Sequence, residues 1–242
     1  DWKSWQFTTL QGGQVEADEI EAAKSDLDER TFRQEYEATF ETYAGAIYYN
    51  FDREQNVKRL KTDETAIHIG MDFNIDPMSA AVFQLKNNII NFIDEIVIYS
   101  SNTDELVKEI KTRYPDRQII VYPDPACRQR KTSAGGKTDL NILQNAGLTV
   151  RVKNAHPQVR DRINAVNSRL KNTNDQRMMF IDPKCKNIIR GLERHLYKEG
   201  TTQPDKDSGF DHMNDAIGYA VDYLFPIRKQ YTKQLPQRWS VK

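Results

Sequence analysis

Three aspartates, Asp72, Asp124 and Asp215, stand where a stretch of regular structure meets a turn or opens a helix, and Asp211 precedes the last by one helical turn. Asp72 ends the apolar run 67–71, and Asp124 follows the β-rich run 119–122 between Pro123 and Pro125. Asp211 and Asp215 flank His212-Met213-Asn214 at the start of an apolar stretch, so on a helix their carboxylates share one face. Carboxylates about 4 Å apart repel by roughly 4 kcal/mol at an effective dielectric near 20, so gathering several favours a site that takes up cations. Hard oxygen ligands, few imidazoles and no thiolate cluster suit Mg²⁺ or Mn²⁺ rather than zinc. Two such ions about 3.5 to 4 Å apart serve in-line hydrolysis of a phosphodiester. In that scheme Asp72 bridges both ions, Asp124 binds one, Asp215 binds the other, and Asp211 is an outer or alternative ligand. Asp76 in the turn after the first run is a further candidate, although Asn74-Ile75-Asp76-Pro77 equally makes an ordinary Asx turn. His212, beside Asp211, is placed to orient a carboxylate or approach DNA. Taken singly, each aspartate reads as readily as a turn residue or a helix cap.

Positioning these acids requires a particular series of elements. Residues 67–73, 79–85 and 89–98 read as strands, the latter two joined by Lys86-Asn87-Asn88, and three consecutive strands imply an antiparallel part of a sheet. Helices over 103–114, 139–145 and 158–170 alternate with strands over 118–122 and 148–152. The tetrad 178–181 precedes Asp182-Pro183, and two last helices span 184–197 and 211–224. A meander followed by βαβ units is the order of an α/β, RNase H-like fold, a mixed β-sheet flanked by helices on both faces. We place an N-terminal extension at 1–62, the nuclease-like domain at 63–225 and a basic, mobile tail at 226–242. Residues 1–60 read as peripheral, with a helix start near Asp28 and Glu29.

The formal net charge of +0 conceals an asymmetry. Residues 1–76 carry 8 Lys and Arg against 17 Asp and Glu, which leaves 27 basic and 18 acidic residues beyond them. A basic body suits double-stranded DNA, because neutralising phosphates releases counterions. Arg128, Arg130, Lys131 and Lys137 lie in the loop that leaves Asp124 and are the expected phosphate contacts. With 38% hydrophobic residues and no apolar run near the roughly 18 that would span a bilayer, no membrane partner is expected. Cys127 and Cys185 form no CxxC pair and read as free thiols, and a cytosolic setting follows. Gly135-Gly136-Lys137-Thr138 resembles the end of a phosphate-binding loop, but that pattern needs glycine where Lys131 stands. His68 and His195 read as structural.

The motifs Gly70-Met71-Asp72-Phe73, Tyr122-Pro123-Asp124-Pro125-Ala126, Asp182-Pro183-Lys184-Cys185 and Asp211-His212-Met213-Asn214-Asp215-Ala216 together resemble the C-terminal nuclease domain of tailed-bacteriophage terminase large subunits, most similar to those of headful-packaging phages. The resemblance covers roughly residues 60–225. Arg33-Gln34-Glu35-Tyr36 with Phe40, and Ile47-Tyr48-Tyr49-Asn50-Phe51, resemble the segment that joins the packaging ATPase to the nuclease. It implies a metal-dependent endonuclease that cuts concatemeric viral DNA in the host cytoplasm, with catalytic acids at Asp72, Asp124 and Asp215. It also implies a small terminase subunit and a portal protein as partners of the full-length enzyme. A transposase- or resolvase-like nuclease of the same fold, and a non-catalytic DNA-clamping module, are the rival readings.

Overall fold

A computed structural model of the chain describes residues 7–12, 15–39, 45–74, 76–129 and 138–227. Four helices come first: α1 (Thr9–Gly12), α2 (Ala17–Asp26), α3 (Glu29–Tyr36) and α4 (Arg53–Asn56). The strands β1 (Ile67–Asp72), β2 (Met78–Lys86) and β3 (Ile89–Ile98) lead into α5 (Thr103–Arg113) and β4 (Ile119–Pro123). A 3₁₀ turn over Pro125–Arg128, α6 (Asp139–Asn145), β5 (Thr149–Val150), α7 (Val159–Leu170), β6 (Met179–Ile181), α8 (Lys186–Arg194) and α9 (Asp211–Leu224) complete the order.

The six strands form one sheet in the order β5-β4-β1-β2-β3-β6. The meander β1-β2-β3 is antiparallel, whereas β4 beside β1, β5 beside β4 and β6 beside β3 run parallel. The α/β, mixed-sheet expectation therefore holds. Asn87 and Asn88 turn the β2–β3 hairpin, both with positive φ (51° and 63°), the backbone that a two-residue hairpin loop demands and asparagine tolerates.

Alternation along the strands sends their side chains into two cores. Ile67, Ile69 and Met71 of β1 join Val82, Val121 and the apolar stripes of α5 and α6 on one face. Phe83, Ile120 and Tyr122 pack on the other face against α7, α8 and α9. All six residues of β1 are buried, as befits a strand covered on both sides. Gly70 lies under α9, and a Cβ there would run into the Ala216 carbonyl oxygen. That approach brings the first turn of α9 against the end of β1.

Three element readings change. The tetrad 178–181, left without an element, is the parallel edge strand β6, too short to show a period. The strand expected over 148–152 is only Thr149–Val150, with one further bond from the Arg151 amide to the Val121 carbonyl (2.9 Å). The helix expected over 184–197 is confined to Lys186–Arg194. At its start Asp182 Oδ1 accepts the Lys184 amide (3.1 Å), and at its end the Ile47 amide takes the His195 carbonyl (2.9 Å), pulling the chain into a bridge with Ala46.

The segment before β1 shares this core. Ile47 and Tyr48 are buried among residues of α7, α8 and α9. Asn56 Nδ2 donates to the carbonyls of Leu170 (3.2 Å) and Met179 (2.9 Å), and its Oδ1 accepts from Arg177 (2.7 Å). Asp28 caps α3 by accepting the Thr31 amide (3.0 Å). The tail beyond residue 227 lies outside the described residues.

Candidate active site

The register that sets Met71 opposite Pro123 makes Asp72 and Asp124 neighbours at the carboxyl ends of two adjacent parallel strands. The Asp124 amide donates to the Met71 carbonyl (3.0 Å), extending the ladder by one bond. Asp211 and Asp215 come from the first two turns of α9, which crosses β1 at Gly70. All four acids line one open cleft with Asp139, His212, Lys206 and Tyr219.

Each carboxylate has distinct surroundings. Asp72 is buried, and its Oδ2 lies 3.2 Å from His212 Nδ1. Burial and the charges of Asp215 and Asp124 raise its pKa against the lowering effect of His212. The Asp72 carboxylate in turn raises the pKa of His212. Asp124 Oδ1 accepts the Ala126 amide (2.8 Å), which caps the 3₁₀ turn, and lies 3.3 Å from His156 Nδ1. Asp215 Oδ1 accepts from Arg162 Nη1 (2.8 Å). Asp211 is 7% exposed, and its Oδ1 has no hydrogen-bond partner among the described residues. His212 Nε2 lies 3.7 Å from it.

This donor set fits a hard divalent cation: oxygen-only carboxylates, one orphaned buried oxygen, and an Asp72 burdened by like charges that a cation would relieve. Among the described residues, however, no three His, Cys, Asp or Glu side chains converge closely enough to hold one ion. The acids instead turn to protein partners, Asp72 to His212, Asp124 to Ala126 and His156, and Asp215 to Arg162.

The other candidates separate. Asp76 is exposed, accepts the Ser100 amide (3.3 Å) and does not line the cleft. Arg128 reaches the Val152 carbonyl (3.3 Å) at the cleft's flank, whereas Arg130, Lys131 and Lys137 lie outside the described residues. His68 hydrogen-bonds the Tyr122 hydroxyl (2.9 Å) in the sheet, and His195 lies between the Asp205 carbonyl and Asn214.

Sequence reading missed Asp139, His156, Lys206, Arg162 and Tyr219. Asp139 opens α6 and accepts from the Thr103 hydroxyl (2.6 Å). Two had a local signal, Asp139 as an acid that opens a helix and Tyr219 because it follows Asp215 by four residues on α9. The others reach the cleft from loops or another helix, a relation that no local spacing encodes.

A family model described as terminase RNaseH-like domain matches residues 69–224. Solved structures of similar fold include the large terminase of a thermophilic bacteriophage in complex with ATP-gamma-S, with a TM-score of 0.68 and 19% identity over 90% of this chain and 55% of that one. The nuclease domain of the P22 large terminase gives 0.56 and 13% identity, covering 76% of this chain and 95% of its own. The large terminase nuclease from thermophilic phage G20c, with bound cobalt, gives 0.53 and 14% identity, covering 74% and 97%. That nuclease is also known with bound magnesium. A comparison with curated proteins gives no match. The chain spans about half the length of the large terminase solved with ATP-gamma-S.

Proposed function

The chain belongs to the terminase RNaseH-like domain family, and from that premise we propose that it is a Mg²⁺- or Mn²⁺-dependent endonuclease that cuts concatemeric viral DNA during genome packaging. One observation carries the reading: Asp72 and Asp124 end adjacent parallel strands, and α9 sets Asp211 and Asp215 beside them over the same cleft. The metals bound to the G20c nuclease support the choice of cation class.

Asp72, Asp124 and Asp215 would hold two ions, with Asp211 adjacent. When bound, the cations supply Lewis-acid polarisation of the scissile phosphate and a water of lowered pKa. The chain's own residues supply orientation and exclusion. His212 holds Asp72 by its Nδ1, so this acid keeps one orientation at the cleft floor. Lys206 brings a positive charge to a cleft that holds five aspartates and is suited to a phosphate oxygen of the bound strand. Arg128, Arg130, Lys131 and Lys137 extend that contact along the DNA backbone, which gives affinity without sequence reading. The small terminase subunit and the portal protein are the partners proposed for the whole packaging enzyme.

The test is conversion of supercoiled plasmid by the purified chain. Nicked and linear products should form with Mn²⁺ or Mg²⁺, disappear in EDTA and be absent for Asp72→Asn. Cutting by Asp72→Asn at the wild-type rate would sink the assignment. Products confined to branched DNA would move it to a resolvase.

A further inference from the structure

Arg162 is a buried cation whose donors the fold leaves partly unmet. Its side chain is 8% exposed, and its Nε has no hydrogen-bond partner among the described residues. Taking a guanidinium out of water without satisfying it is unfavourable, so general stability is a poor explanation for its place. Its contacts point to the cleft. Nη1 donates to Asp215 Oδ1 (2.8 Å), and the guanidinium stacks 4.3 Å from the centroid of the Tyr219 ring.

Tyr219 continues the chain of contacts. It follows Asp215 by one turn of α9 and lines the cleft together with Asp124, with burial and the Asp124 charge among the effects that raise the pKa of its hydroxyl. A single run, Asp215 to Arg162 to Tyr219 to Asp124, thus ties together two acids delivered by different elements. Asp72 has its own support in His212 and does not need the stack.

Resting on the nuclease reading above, we propose that Arg162 and Tyr219 are positioning residues that together fix the Asp215 and Asp124 carboxylates for divalent cations. Partners of this kind around ligating carboxylates orient them, and their loss weakens metal affinity.

Two charge-conserving substitutions separate orientation from electrostatics. Arg162→Lys keeps the positive charge and loses the planar fork. Tyr219→Phe keeps the ring under Arg162 and removes only the hydroxyl. Mn²⁺ binding to the whole chain is measured by titration calorimetry, beside the Mn²⁺ dependence of plasmid cleavage. Each variant should bind Mn²⁺ about tenfold more weakly, with cleavage recovering towards the wild-type rate as Mn²⁺ is raised. A merely structural role would lower the melting temperature and leave the Mn²⁺ affinity of the folded chain unmoved. Wild-type affinity in both variants overturns the positioning role and leaves the nuclease reading standing, whereas no saturable Mn²⁺ uptake by the wild type sinks both. Should Arg162→Lys fail to fold, Tyr219→Phe decides alone.

Discussion

Asp211 presents a buried carboxylate oxygen that no hydrogen bond from the described residues satisfies, one turn from Asp215 on the same helix. An unmet acceptor at such depth is unfavourable by roughly 1–3 kcal/mol, so its place beside the cleft calls for a partner from outside the chain. Asp211→Asn, which keeps the shape, should lower Mn²⁺-supported cleavage about tenfold, as for supporting residues at metal sites. Asp215→Asn should leave none. Parallel rate measurements on the two variants check the ranking, and equal rates would place Asp211 among the core ligands. Asp72 and Asp124 were legible in the sequence because each stands at the end of a strand, and Asp215 because it follows the helix-opening Asp211 by one turn. Asp76 shares that local signature but bonds Ser100 instead, since a turn aspartate also satisfies backbone amides. Arg162 carried no such signal, because its partner Asp215 is 53 residues away.

At the scale of elements, the site depends on how closely α9 approaches β1. Only glycine at position 70 allows it, because any Cβ would meet the Ala216 carbonyl. Gly70→Ala should push the helix outward, destabilise the fold by about 1–3 kcal/mol and reduce cleavage more than the stability loss alone explains. Thermal unfolding and plasmid cleavage compared at a temperature where both proteins are folded test this, and full activity would show that the spacing is not critical. A second element-scale prediction concerns Asn56, which ties α4 to the ends of α7 and β6. Asn56→Ala strands the Met179 carbonyl, leaves the Leu170 carbonyl with Arg177 alone (3.3 Å) and should cost about 1–3 kcal/mol, measured by urea unfolding. The sheet's central strands and long helices were readable from periodicity, whereas β6 was not, because three residues of edge strand show no alternation to read. The end of α8 was hidden for another reason, the distant bridge between Ala46 and Leu196.

Over the whole molecule, two buried imidazoles that do not line the cleft set a pH dependence. Burial lowers the pKa of His68 and of His195 below the ordinary value. Unfolded, both titrate near about 6.5, so as pH falls the unfolded chain takes up protons first. Their contribution to stability is therefore full above that pH and is lost as pH drops through the depressed folded values. His212 has the opposite sign, since Asp72 raises its pKa: its contribution is full below about 6.5 and is lost as pH rises through the raised folded value. Imidazole resonances followed by NMR should show His68 and His195 titrating below His212, and the reverse order would refute these assignments. The same scale explains why residues 45–57 looked peripheral: they hold no cluster of candidate catalytic groups and run into a charged stretch from Asp52, yet Ile47 and Tyr48 complete the core around α7, α8 and α9. The central claim is that four aspartates from two strands and one helix form a divalent-cation site for cutting DNA. Anomalous diffraction from crystals of the chain soaked in Mn²⁺ tests it most directly. The account predicts peaks within ligand distance of Asp72, Asp124 and Asp215, and crystals showing Mn²⁺ only elsewhere, with this cleft empty, would contradict it.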